Sequence, residues 1–350
     1  MSFLRSRIYR FWSSKHNEAQ CRYVGSRGLL KSCDFHNRNP VSTSGNIDRS
    51  FLKSFREGES IYVCTNALEA FVTQHLPNLK KRFTLVTGDS ILTVNREILP
   101  KHQLRKLIES PFLENWFAQN LAMRHEKIYA IPLGLDYHTL TLRARHPWGR
   151  FQTPVDQERS LVSVRGSAPR LEDKSVLAYC NWQHSIKNGK RTEVVNSLDK
   201  TAVHFEKHRL ARFESWTRNS RYLFTLSPFG AGMDCHRTWE AILLGSVPIV
   251  QSSPLNSLFK RLPVSIVEDW RQVTPRFLEK EKDRILTETY DFSPLYLETW
   301  QRRFRGIPDY PREPVSYEVF LSGNRVREDL AFGAQGSPLN TSWAQKETRN

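Results

Sequence analysis

The chain has 350 residues, 39% hydrophobic and 11% aromatic, which is enough for two globular domains. No apolar run approaches the roughly 18 residues of a membrane span. The five cysteines (Cys21, Cys33, Cys64, Cys180, Cys235) are odd in number and lack a Cys-x-x-Cys pair, which argues against a disulfide framework or structural zinc and fits a reducing, cytoplasmic setting.

The formal net charge of +16 calls for an anionic partner. Lysines and arginines are spread along the whole chain and no nucleic-acid module is recognisable, so the preferred reading is a positive field serving an anionic small substrate. Peripheral contact with an anionic membrane suits the same charge, and specific nucleic-acid binding is the lesser alternative. The basic start, residues 1–20, reads as a flexible terminus, with a transit peptide or a membrane-surface helix as alternatives.

From Gln20 the sequence suggests a short strand and a loop that ends in Lys31, Asp34 and His36. Val41–Asp48 is a polar, linker-like loop. Glu59–Cys64 reads as a strand, Ala67–Leu76 as a helix stopped by Pro77, and Arg82–Thr87 as a strand followed by Gly88 and Asp89. Short polar residues after a buried parallel strand are where an open α/β sheet presents its site, which makes Asp89 a candidate; a turn aspartate is the plain alternative. Ser110-Pro111 predicts a helix start, with Phe112, Leu113, Trp116, Phe117 and Leu121 as its apolar stripe. Lys127–Pro132 is a strand feeding Leu133–His138, which adds Asp136 and His138 as candidates.

His146–Pro169 reads as a connection with one short helix, Asp156–Val164. Ser175–Cys180 opens a second α/β unit, followed by a basic loop in which Lys187, Lys190 and Arg191 are candidate phosphate contacts. A helix to Leu198, a strand at Ala202–Phe205 and a helix at Phe213–Asn219 come next. Tyr222–Val250 then forms a strand, a loop (Ser227–Met233), a helix from Asp234 to Leu244 ended by Gly245, and a second strand, Val247–Val250. This is a right-handed βαβ unit with parallel strands. Asp234 reads as the helix N-cap, leaving amides free for an anion. Arg237 and Glu240 share a helix face and suit a phosphate and a ribose diol, whereas an ordinary surface ion pair is the bland alternative. Ser265–Val267 is a strand, Thr274-Pro275 starts a charged helix, and Tyr296–Arg305 is a helix with Leu297, Trp300 and Phe304 on one face.

The Ser227–Asp234 loop (Ser-Pro-x-Gly-x-Gly-x-Asp), Arg237-x-x-Glu240-Ala241, Gly245-x-x-Pro248-Ile249 and the later Asp269-Trp270 occur in order. Together they resemble the donor-binding signature of exostosin-like glycosyltransferases, family 47, of the soluble bacterial, viral or algal kind. The sequence departs from that pattern at Phe229, Ala231 and Gln251–Ser253, which bears on sugar specificity. The resemblance implies an α/β GT-B-like fold, two Rossmann-like domains with a cleft between them. The expected division is a flexible terminus (1–20), an N-terminal acceptor domain (21–145), a connection (146–172), a donor domain (173–310) whose last helix packs back on the first, and a largely disordered tail (311–350).

The implied activity moves a sugar from a nucleotide-sugar donor, expected to be a UDP-sugar, to a hydroxyl of a glycan, glycoprotein or glycolipid. Inversion without a metal or cofactor is expected, with the nucleotide sugar as co-substrate. Ser227, Gly230, Gly232, Asp234, His236, Arg237 and Glu240 correspond to the donor site. Asp34, His36, Asp89, Asp136 and His138 remain alternatives for the single base. A non-catalytic nucleotide- or glycan-binding protein on the same fold is the rival class.

Overall fold

Short strands, each rich in β-branched or aromatic residues, build two parallel sheets in this computed structural model, which describes residues 17–38, 40–48, 52–182 and 190–323. The first sheet has the order β1-β2-β3-β4, with β1 at Ser60–Cys64, β2 at Phe83–Gly88, β3 at Leu113–Ala118 and β4 at Ile128–Ala130. All pairs are parallel. Every residue of β2 is buried, as in a strand covered on both faces.

β3 corrects the expectation of a helix after Ser110-Pro111. Trp116 and Phe117 are neighbours in sequence, yet Trp116 enters one core cluster with Phe71 and Phe83 while Phe117 enters another with Trp300 and Phe304. Adjacent side chains on opposite faces are the mark of a strand, and two apolar faces imitated a helical stripe. A helix does precede it, Lys101–Ile108, in a stretch given no assignment from sequence. Likewise the expected strand after Gln20 is largely a helix, Ser26–Lys31, with Leu29 and Leu30 buried.

The second sheet comprises β5 (Ser175–Cys180), β6 (Val203–Phe205), β7 (Tyr222–Leu226), β8 (Val247–Gln251) and β9 (Ser265–Val267). Its order is β6-β5-β7-β8-β9, all parallel. The βαβ unit β7–helix–β8 is as read, with its helix at His236–Leu243 and Gly245 in the left-handed region at φ 73°. The helix's last carbonyls are bound from outside: Lys174 Nζ donates to Leu244 O at 3.1 Å and Tyr317 Oη to Ile242 O at 2.5 Å.

Two segments far apart in sequence cross between the sheets. Cys21 and Tyr23 belong to the core of the second sheet, while Leu297, Trp300 and Phe304 of the Leu297–Phe304 helix pack with Tyr62, Val86 and Phe117 of the first. Buried Glu158, on the Pro154–Gly166 helix, accepts hydrogen bonds from the amides of Arg22 and Tyr23 and from Tyr137 Oη. Within the stretch 311–350 expected as a tail, Val315–Ser316 pairs with Thr289–Tyr290, and Tyr317, Phe320 and Leu321 are buried. The remainder from 324 on, like residues 1–16, lies outside the described residues. No helix among the described residues is long and apolar enough to cross a membrane, and all five cysteines are free thiols.

Candidate functional site

The order of the second sheet creates a switch point. The connection leaving β5 runs to β6 on one side and the connection leaving β7 runs to β8 on the other, so a crevice opens between their C-terminal ends. Trp182 and Arg191 follow β5, and the glycine loop with Arg237 follows β7. His184 and Lys187 of the basic loop lie outside the described residues. Lys190 faces solvent in an i,i+3 pair with Glu193 at 3.7 Å.

Arg191 is buried, and its Nε donates to Phe229 O in the glycine loop at 3.2 Å. Burial, then the positive charge of Arg237, pushes its guanidinium down to about 10. The Arg237 guanidinium lies 5.8 Å from the centroid of the Trp182 ring, and its buried Nη1 has no acceptor among the described residues. Two cations held together with a donor unfilled form a ready anion site. No ion pair joins Arg237 to Glu240 among the described residues, so the surface-pair alternative is not what forms; Glu240 stands half-buried one turn further on.

The glycine loop closes tightly around this corner. A Cβ on Gly230 would lie 3.0 Å from Cys235 Sγ and 3.5 Å from Arg191 Nη2. Ser227 is a fastening rather than an open ligand group, its hydroxyl 2.9 Å from that of Thr238. The predicted N-cap is corrected: Cys235 holds that position without a side-chain cap, and Asp234 lies one residue ahead of it. Its carboxylate accepts from Leu133 N–H at 2.7 Å, Cys235 N–H at 2.7 Å and Trp239 Nε1 at 2.9 Å, joining the two halves of the chain. Complete burial outweighs these donors and raises its carboxyl to about 6. His236 Nδ1 is 2.6 Å from Gly134 O, a second tie across.

Facing this crevice is a titratable cluster at the C-terminal side of the first sheet. Asp136 is buried against Arg212 Nη2 at 3.3 Å and His138 Nδ1 at 3.2 Å, and it accepts from Thr139 N–H and Oγ1. Its burial favours the neutral acid, but His138, His236 and Arg212 together hold the carboxyl far below the usual range. His138 is lowered by burial, opposed by Asp136 and reinforced by His236, whose ring centroid is 5.9 Å away. Asp89 sits in the left-handed region just past β2, at φ 50°. It accepts from Ser42 Oγ at 2.7 Å and faces Arg27 at 3.7 Å, and its other oxygen has no hydrogen bond among the described residues.

Asp34 and His36 do not join this cluster. Asp34 accepts from Ser60 N–H and Oγ, clipping its segment to β1, and His36 Nδ1 lies 2.9 Å from Asn37 O. Sequence reasoning missed Arg27, Arg212 and Asn120. Asn120 Oδ1 accepts from Asp234 N–H at 2.9 Å, and its amide donates to Ser90 O. It lies two residues past β3, so reading that segment as a strand would have exposed it by the same rule that found Asp89.

The architecture is thus that of an α/β protein with parallel, Rossmann-like sheets and its charged side chains gathered at strand C-termini. No family model matches the chain. The chain is similar to human ribitol-5-phosphate xylosyltransferase 1, 28% identical over 118 residues, which is 29% of this chain and 26% of that protein. The similarity therefore spans about a quarter of the relative's length and supports a glycosyltransferase relationship, without singling out family 47.

Proposed function

We infer that the protein is a glycosyltransferase of GT-B-like arrangement. It transfers a sugar from a nucleotide-sugar donor, a UDP-sugar, to a hydroxyl of a glycan or glycoconjugate. The observation that carries this reading is the Arg191–Arg237 pair at the switch point, with a buried Arg237 donor left unfilled. The similarity to a xylosyltransferase supports the same reaction class.

In this reading the donor's diphosphate fills the unused donor of Arg237 and lies between the two guanidiniums, and Glu240 accepts hydrogen bonds from the ribose hydroxyls. The guanidiniums meet the charge that builds on the departing diphosphate, the role a metal plays in other transferases. His138 is the general base. Its Nδ1–H points to an ionised Asp136, which leaves Nε2 with a lone pair, and at 19% it is more solvent-accessible than Asp136, Arg212 or Asp89. The acceptor oxygen forms its bond to the sugar C1 as the C1–O bond to the diphosphate breaks, its proton passes to His138, and the configuration inverts.

Calorimetric titration with UDP, GDP and their sugar conjugates tests the donor half. Arg237→Ala and Glu240→Ala are expected to weaken the preferred nucleotide by about 1–3 kcal/mol each, the worth of a charged hydrogen bond. Absence of nucleotide binding would overturn the reading.

A further inference from the structure

A broad groove lies away from the Arg237 crevice. It has a volume of about 1550 Å³ and runs along the free edge of β4, bounded opposite by residues 253–261 and 291–309. Its lining includes Leu121, next in the chain to Asn120 at the junction of the glycine loop and the base cluster, and Ser253, two residues past the end of β8.

We propose that this groove is the acceptor subsite and that it takes an anionic oligosaccharide. The inference rests on the transferase reading. Tyr129 supplies the platform: the residue is 45% exposed on the edge strand, and its ring is held by the cross-strand neighbour Phe117 at 5.4 Å, which rests on Phe304 at 5.1 Å. A held, partly exposed aromatic ring stacks on the C–H face of a sugar ring, and the nearby amide of Asn115 suits a hydroxyl. Anion preference follows from the rims. Five Lys/Arg side chains line the groove against three carboxylates, and exposed Arg124 and Lys260 have no ion-pair partner among the described residues.

The test titrates the full chain, at fixed ionic strength, with a heparin-derived hexasaccharide, an oligogalacturonate and neutral xylohexaose. UDP is titrated on the same samples. The variants are Tyr129→Ala, the double Arg124→Glu/Lys260→Glu, and a control of equal charge change at exposed positions outside the groove, Lys80→Glu/Arg276→Glu. The groove variants are expected to weaken the anionic chains about tenfold or more, the control about twofold at most, and the neutral chain to bind about tenfold less well. UDP affinity stays unchanged.

Equal losses in the groove and control doubles would assign the binding to the diffuse surface charge and overturn the proposal. So would an unaffected Tyr129→Ala or equal affinity for xylohexaose. If UDP binds and the groove variants change nothing, the groove assignment alone fails; if the groove responds but no nucleotide binds, the transferase reading fails and the groove remains a glycan site.

Discussion

Asn120 and Gly232 touch across the junction of the two sheets, where a Cβ on Gly232 would lie 2.9 Å from Asn120 Nδ2. Asn120 is itself committed, with its amide on Ser90 O, its carbonyl receiving Asp234 N–H, and its backbone left-handed at φ 51°. Asn is one of the few residues that tolerates that backbone, so it has little room to retreat. Gly232→Ala should cost about 1–3 kcal/mol of stability, as overpacking does. Removing the amide with Asn120→Ala in the same chain should recover part of it, because contacting sites are not additive. Urea unfolding of the two single variants and the double measures this; strict additivity would show that the contact is loose.

Arg237 offers a separation of stability from binding. Its guanidinium is close to Arg191 with a buried donor unfilled among the described residues, so in the free protein it is a cost rather than a support. Arg237→Met should leave the unliganded protein as stable as before, or more stable by about 1 kcal/mol, while abolishing stabilisation by UDP. Melting curves with and without UDP decide it. A variant that is much less stable when unliganded would make Arg237 a structural residue.

The parts of the fold that are legible in the sequence are the local ones. The β7–helix–β8 unit announces itself through apolar runs of strand length, a glycine loop and Gly245 at the helix end, all governed by residues close in sequence. Helical spacing puts Arg237 and Glu240 on one face, and the family resemblance is what points them to a donor. Asp234 was read as a cap because caps are local, whereas its real partners, Leu133 N–H and Trp239, depend on how the two halves meet. β3 eludes the sequence for the same reason: a strand buried on two faces has no alternation, and its apolar spacing in isolation allows a helix. Arg212 reaches Asp136 across 76 positions, and no spacing rule foretells such a pair.

Asp234 gives the junction a pH dependence whose sign can be worked out. Its carboxyl is raised from 3.8 to about 6 in the folded protein, so between those values the folded state holds more protons than the unfolded. This group therefore opposes folding by about 3 kcal/mol above pH 6, and that penalty fades as the pH falls toward 4. Asp234→Asn keeps one acceptor for the surrounding N–H groups and removes the titration. The stability difference between variant and wild type, measured by urea at pH 4.5 and 7.5, should shift toward the variant at the higher pH. A difference that does not change with pH would mean Asp234 is not charged and buried as described.

The pH profile of transfer tests the base most directly. Burial lowers His138 from its ordinary value near 6.5, and the Asp136 carboxylate works against that lowering. Activity should therefore fall on the acid side at a pH below 6.5, as the imidazole takes up a proton and loses its lone pair. Asp136→Asn removes the opposing carboxylate, so the acid limb should move to still lower pH even though kcat drops from the loss of orientation. His138→Gln should reduce kcat by about 10²–10⁴ with nucleotide affinity intact, the usual range for a lost general base. Asp89→Asn is the competing variant, since Asp89 has an oxygen free of hydrogen bonds among the described residues and sits just past the end of β2. If the large kcat loss follows Asp89→Asn while His138→Gln retains activity and the acid limb ignores Asp136→Asn, the base is Asp89, with His138 and Asp136 serving to join the two halves of the chain.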